Sequence, residues 1–119
     1  MTQQAYIMNL LLEIGIPANL SGFTYAREMI PLFIDNKYLK IRIIEDVYKV
    51  LAEKYNNDWR NIERSLRHSI EYAFSYGNAD LLEDIFKYSI KPTGTVSCKT
   101  FLITLAEYVK LNCSEKAVV

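Results

Sequence analysis

From Ile44 to Ala73 the apolar residues recur every three or four positions, and the pattern breaks only at Asn56-Asn57-Asp58. That is the period of an α-helix, in which residues i, i+3, i+4 and i+7 share a face; a strand alternates at every residue. Two amphipathic helices must therefore meet across a turn of about three residues, the geometry of a helix-turn-helix. The first is predicted over about Leu39 to Tyr55, with Ile44, Val47, Tyr48, Leu51 and Tyr55 on its stripe. The second is predicted over about Asp58 to Tyr76, with Trp59, Ile62, Leu66, Ile70 and Ala73 inward. Ala52 is small where the pair must cross, and Asn56 tolerates a left-handed turn. Asn57 is the expected N-cap, with Asp58 in the first turn, where a negative charge suits the helix dipole.

The remaining punctuation is just as short. A helix from Gln3 to Ile14 stops at Gly15-Ile16-Pro17, and Ser21-Gly22 opens the next, which carries Tyr25, Met29, Ile30 and Phe33. Pro31 lies inside that pattern; an interior proline removes a hydrogen bond and costs about 3 kcal/mol, so a kink or an early end is expected there. Gly77 stops the fourth helix, and a short fifth runs over about Ala79 to Tyr88. After the Lys91–Val96 loop, Ser97 caps a sixth helix with Phe101, Leu102, Leu105, Tyr108 and Val109 on its stripe. The last five or so residues are expected to fray. The reading is a single all-α domain over residues 1–119, about six helices with a central helix-turn-helix.

Composition excludes several classes. Half of the 119 residues are hydrophobic and 24% are charged, which suits a globular domain rather than a disordered chain. No apolar run is long enough to span a bilayer, and the N-terminus lacks the basic region and cleavage site of a signal peptide. The expected location is the cytoplasm, at the nucleoid. Cys98 and Cys113, without a CxxC and with one histidine in the chain, read as free thiols rather than zinc ligands. No carboxylate pair at a useful spacing and no glycine-rich phosphate loop is present, so neither an enzyme nor a cofactor is expected.

Net charge is zero, but unevenly distributed: residues 37–68 carry eight bases against five acids, and residues 69–86 carry four acids and no base. In the second helix of the turn, Arg60, Glu63, Arg64 and Arg67 fall at i, i+3, i+4 and i+7. Arginine can bind guanine O6 and N7 bidentately, and glutamate can accept from cytosine N4, so such a face suits G·C pairs in a major groove. The same spacing also makes an ordinary salt-bridged solvent face, and two-helix corners occur in bundles that bind nothing.

The stretch Ile62-Glu63-Arg64-Ser65-Leu66-Arg67-His68-Ser69-Ile70-Glu71 resembles the V-E-R-A-I-R-H-A-I-E segment of the effector domain of sporulation-initiation response regulators. Glu13–Ala18 is similar to that family's E-I-G-V-P-A, and Gly22, Tyr25, Arg27 and Glu28 to its G-Y-x-Y-x-R-E. Ala52–Asn56 is similar to A-K-K-F-N, Ser75–Asn78 to S-R-G-N, and Phe86-Lys87-Tyr88 to F-G-Y; the likeness covers about residues 10–112. It implies a six-helix domain that binds double-stranded DNA at TGTCGAA-like boxes, with domains paired as a homodimer on tandem boxes. It implies base contacts from Arg60, Glu63, Arg64 and Arg67. Backbone contacts would come from Lys54, Asn57 and His68, although His68 equally suits a hydrogen-bonded, partly buried histidine. The segment Gly77–Phe86, with Asp80, Glu83 and Asp84, would face RNA polymerase sigma factor, and Phe101–Leu111 would take part in domain pairing.

The chain departs from that family in ways that remove positive charge. Asn61 stands where an arginine is usual, Tyr76 replaces the arginine of S-R-G-N, and Trp59 replaces a small residue. Pro31 interrupts the second helix, and the loop before the sixth does not keep K-P-T-N-S in place. Weaker phosphate binding is expected. With no room for a receiver domain, the chain reads either as an excised domain or as a stand-alone paralogue without phosphoacceptor control, and the divergent Trp59, Asn61 and Tyr76 favour the second. The alternative reading is a protein-binding modulator that pairs with the full-length regulator or sigma factor and has largely lost DNA binding.

Overall fold

The short punctuation does produce helices. In the computed structural model, which describes residues 1–35 and 40–113, the chain forms six α-helices and, among the described residues, no strand. They are α1 (Gln3–Ile14), α2 (Ser21–Asp35), α3 (Lys49–Lys54), α4 (Trp59–Tyr76), α5 (Ala79–Phe86) and α6 (Cys98–Asn112). A π-helical segment, Ile43–Tyr48, runs directly into α3, and a 3-10 turn, Lys87–Ser89, follows α5. No described helix is long and apolar enough to cross a membrane. Leu39, where the third helix was expected to begin, and the tail expected to fray from about residue 115 lie outside the described residues.

Capping explains where most elements begin. Thr2 Oγ1 accepts from Ala5 N–H at 3.1 Å, Asn78 Oδ1 from Leu81 N–H at 3.2 Å, and Ser97 Oγ from Thr100 N–H at 3.1 Å. At the end of α1, Gly15 takes the left-handed conformation, φ 105°, which closes the helix. Gly77 ends α4 for a different reason, since its φ of −88° is open to any residue. A Cβ there would lie 2.3 Å from the Ile14 carbonyl oxygen and 2.5 Å from that of Ala73. The ends of α1 and α4 touch backbone to backbone, and Asn78 N–H donates to Ile14 O at 3.2 Å.

Helix α2 packs against both α4 and α6. Its Phe33 is buried with Phe101 of α6 and Phe86 of α5, the latter two rings stacked with centroids 5.7 Å apart. The expected early end at Pro31 does not occur: α2 continues to Asp35. Beyond the proline, Phe33 is 1% and Ile34 9% exposed. Burying two such side chains is worth about 1.5–3 kcal/mol each, which offsets a proline cost of about 3 kcal/mol.

The π-helical segment corrects the third helix. Lys49 N–H bonds to Ile44 O, five residues back, and Arg42 N–H caps the entry by donating to Asp46 Oδ2 at 2.8 Å. A wider turn breaks the i, i+3, i+4 rule. Ile44 turns out to be 38% and Tyr55 37% exposed, while Ile43 packs against the core beside buried Val47 and Tyr48.

Candidate nucleic-acid interface

The junction between α3 and α4 is built by four residues with separate tasks. Ala52, 7% exposed, lets the helices approach, and its carbonyl accepts from Asn57 N–H at 2.8 Å. Asn56 makes the reversal at φ 51°, in the left-handed region as its residue type suggests. The N-cap is Asp58 rather than the expected Asn57: its Oδ1 accepts from Arg60 N–H at 2.8 Å. Asn57 instead folds back, its Oδ1 accepting from Asp58 N–H at 2.8 Å. The displacement is one residue, because either short polar side chain can accept from an open N–H.

Buried Ile62, Leu66, Ser69, Ile70 and Ala73 anchor α4 to the core. Trp59 is only half-buried, and its ring stacks on that of Tyr48, 6.3 Å between centroids and 5° between planes. The tip of α4 is thereby tied to the π-helical segment.

Successive residues turn by about 100°, so the face opposite the core carries Arg60, Asn61, Arg64, His68 and Glu71. All five are exposed. Arg60 lies against Asp58, with Nε to Oδ1 at 3.1 Å and Nη2 to Oδ2 at 2.9 Å. The guanidinium and the Arg60 backbone N–H together hold the Asp58 carboxyl at about 2. Arg64 is held differently: its Nη1 donates to Asn61 Oδ1 at 3.1 Å, and Asn61 Nδ2 donates to Asn57 Oδ1 at 3.1 Å. Asn61, read from sequence as a lost charge, thus links the turn to Arg64. Its signal was the 57, 61, 64 spacing, which sets the three side chains one above another.

Glu63 and Arg67 sit on the flank. Glu63 is 19% exposed at its side chain and pairs with Arg67, Nη1 to Oε1 at 2.5 Å. Both border a groove of about 880 Å³, whose other walls include Tyr48, Phe74, Lys91 and Lys99. Sequence reading assigned no site role to these lysines, because the distance from Arg67 to the Lys91–Lys99 loop is set only by how α6 packs. His68 is exposed rather than partly buried; with Arg64 it borders a small cleft against Leu20 and Ser21 at the start of α2. Lys54, at the end of α3, pairs with Glu28 of α2. Asp80, Glu83 and Asp84 share an exposed face of α5, bordered by Lys87 and the fully exposed Tyr88.

An arginine-bearing face on the second helix of a helix-turn-helix is the arrangement that enters a DNA major groove. The family model described as the C terminal of sporulation initiation factor Spo0A matches residues 7–109. That family is a DNA-binding regulatory domain of the sporulation regulator, not an enzymatic one, and it binds DNA boxes. With nearly the whole chain covered, this protein belongs to the family of the C-terminal domain of sporulation initiation factor Spo0A.

Proposed function

We propose that this protein is a sequence-specific transcription regulator that lays α4 in the major groove of TGTCGAA-like boxes and acts at the nucleoid. The supporting observation is the Asn57–Asn61–Arg64 chain, which orients an exposed guanidinium that the fold itself does not require. In this reading Arg60 and Arg64 read bases from the centre of the face, with Arg67 and Glu63 at its edge. Asn57 and His68 stand on the backbone side, where Lys54 is held by Glu28 instead. The acidic face of α5 meets sigma factor. Phe101, Leu102, Leu105 and Val109 belong to the core, so pairing on tandem boxes would use the exposed end of α6, where Leu111 is 82% exposed.

The test is fluorescence anisotropy of a labelled tandem-box duplex against a scrambled one. The wild type should prefer the box, and Arg64→Ala should lose about 1–3 kcal/mol of that preference without a change in thermal midpoint. Equal binding of both duplexes by wild type and variant refutes the reading.

One observation favours a protein-binding role instead: Lys54, Arg60 and Arg67 already hold carboxylates within the chain. If no duplex binds at low salt while sedimentation shows self-association, that second reading stands.

A further inference from the structure

Glu28 lies on α2, outside the helix-turn-helix, yet both of its oxygens are committed to it. Oε1 accepts from Lys54 Nζ, and Oε2 accepts from the Tyr55 hydroxyl. Lys54 is the last residue of α3 and Tyr55 the first of the turn, so one carboxylate grips both sides of the point where the chain reverses. The grip is built into its surroundings. The Tyr55 ring meets Tyr25, one turn before Glu28 on α2, edge-on at 5.3 Å, and Lys54 Nζ lies 5.6 Å from the centre of the Tyr55 ring. The Glu28 side chain is only 23% exposed, while that of Lys54 is 62% exposed. The carboxylate is sheltered and the ammonium stands at the rim, where the first helix of such a motif crosses a DNA backbone.

We propose that Glu28 is a positioning and specificity-determining residue: it holds the turn in place and keeps the Lys54 charge from being spent on phosphate. This rests on the DNA-binding reading above. A lysine free to neutralise a phosphate strengthens binding to every sequence alike, since phosphate contacts carry no sequence information. A lysine held by Glu28 contributes little to that uniform affinity. A larger share of the binding then falls to base contacts from α4, and discrimination rises.

The experiment measures affinity of the full chain for tandem-box and scrambled duplexes between about 50 and 200 mM salt. Four proteins are compared: wild type, Glu28→Gln, Lys54→Ala and the double variant. The introduced glutamine keeps an oxygen for the Tyr55 hydroxyl but has no charge to hold the ammonium. Glu28→Gln should steepen the slope of log affinity against log salt by about 0.9, the value of one phosphate contact, an extra change of about three- to fourfold across that range. Its low-salt affinity for the scrambled duplex should rise about threefold or more, with a smaller preference for the box. Lys54→Ala alone should leave the slope unchanged, and the double variant should return it to the wild-type value.

A purely structural Glu28 would weaken binding with no change of slope, and that result overturns the proposal. So does a Lys54→Ala variant whose slope is shallower by about 0.9, which would make Lys54 a phosphate ligand in the wild type. This last measurement decides the matter if circular dichroism shows that Glu28→Gln does not fold. A wild type that binds no duplex removes the DNA-binding reading and this proposal together; a wild type that binds, with an unresponsive Glu28→Gln, removes the proposal alone.

Discussion

Gly22→Ala should loosen the seat of α4. Gly22 is buried in the second position of α2, where that helix crosses α4. A Cβ placed there would lie 2.0 Å from Ser69 Oγ, 2.7 Å from Ser69 Cβ and 2.4 Å from the Ser65 carbonyl oxygen. The hydroxyl can rotate away, but the carbonyl is part of the α4 backbone. Ordinary contact begins at 3.4 Å, so α2 and α4 must part by about 1 Å at the crossing. Overpacking of this kind costs about 1–3 kcal/mol. Alanine is the better helix former by at most about 1 kcal/mol, and less so in the first turn. The balance is a loss of about 1–2 kcal/mol, or about 4–8 °C in thermal midpoint for a domain of this size. Duplex affinity should fall as well, because a recognition constellation must be held to within about 0.5 Å. Thermal denaturation followed by circular dichroism reads the first effect and anisotropy the second. Adding Ser69→Ala should restore only part of the loss, since the Ser65 carbonyl remains. A Gly22→Ala protein that melts at or above the wild-type midpoint and binds normally refutes the close crossing.

Three further outcomes follow from individual side chains. Asp58 is held at about 2 against an ordinary 3.8, so its contribution is fully present above about pH 4 and disappears as pH falls through about 2. Asp58→Asn, which keeps an acceptor for the cap, should flatten that part of an acid-unfolding curve; an identical curve counts against the assignment. Ser69 is fully buried and its Oγ has no hydrogen-bond partner among the described residues, so Ser69→Ala removes an unsatisfied hydroxyl and should leave the midpoint unchanged or raised. A drop worth more than about 1 kcal/mol would mean that the hydroxyl is in fact bonded. Burial pushes the Cys98 thiol up to about 11, with the hydrogen bond to Tyr48 working in the other direction. Native Cys98 should therefore resist iodoacetamide at pH 8 and react once urea unfolds the chain; rapid labelling of the folded protein contradicts this.

Much of the fold is local and therefore legible. Gly15, Asn56 and Ser97 act through their own dihedrals or through a neighbour three residues away, and their roles follow from residue type and position. The buried stripe of α4 follows from spacing, with Trp59 alone left half-exposed. Departures from the expected pattern occur where energy from a distance outweighs local preference. Pro31 sits inside a helix because Phe33 and Ile34 are buried beyond it. The Ile43–Tyr48 segment widens into a π-helix, with Val47 and Tyr48 buried and Asp46 closing its first turn onto Arg42. Neither effect has a signature in the residues alone.

The candidate interface divides in the same way. Arg60, Arg64 and His68 share an exposed face because a helix turns about 100° per residue, whatever it packs on. Sequence alone thus determined the helical class, the position of the turn and the face that the second helix of the motif leaves exposed. Local spacing pairs Arg60 with Asp58 and Arg67 with Glu63, but tertiary structure decided the surroundings of Lys54 and of the Arg67 flank. Lys54 meets Glu28, 26 residues earlier, only because α2 passes beneath the turn, and Arg67 meets the Lys91–Lys99 groove only because α6 docks beside α4. A side chain's charge is written in the sequence, but the partner that neutralises or releases it is fixed by distance in the folded chain.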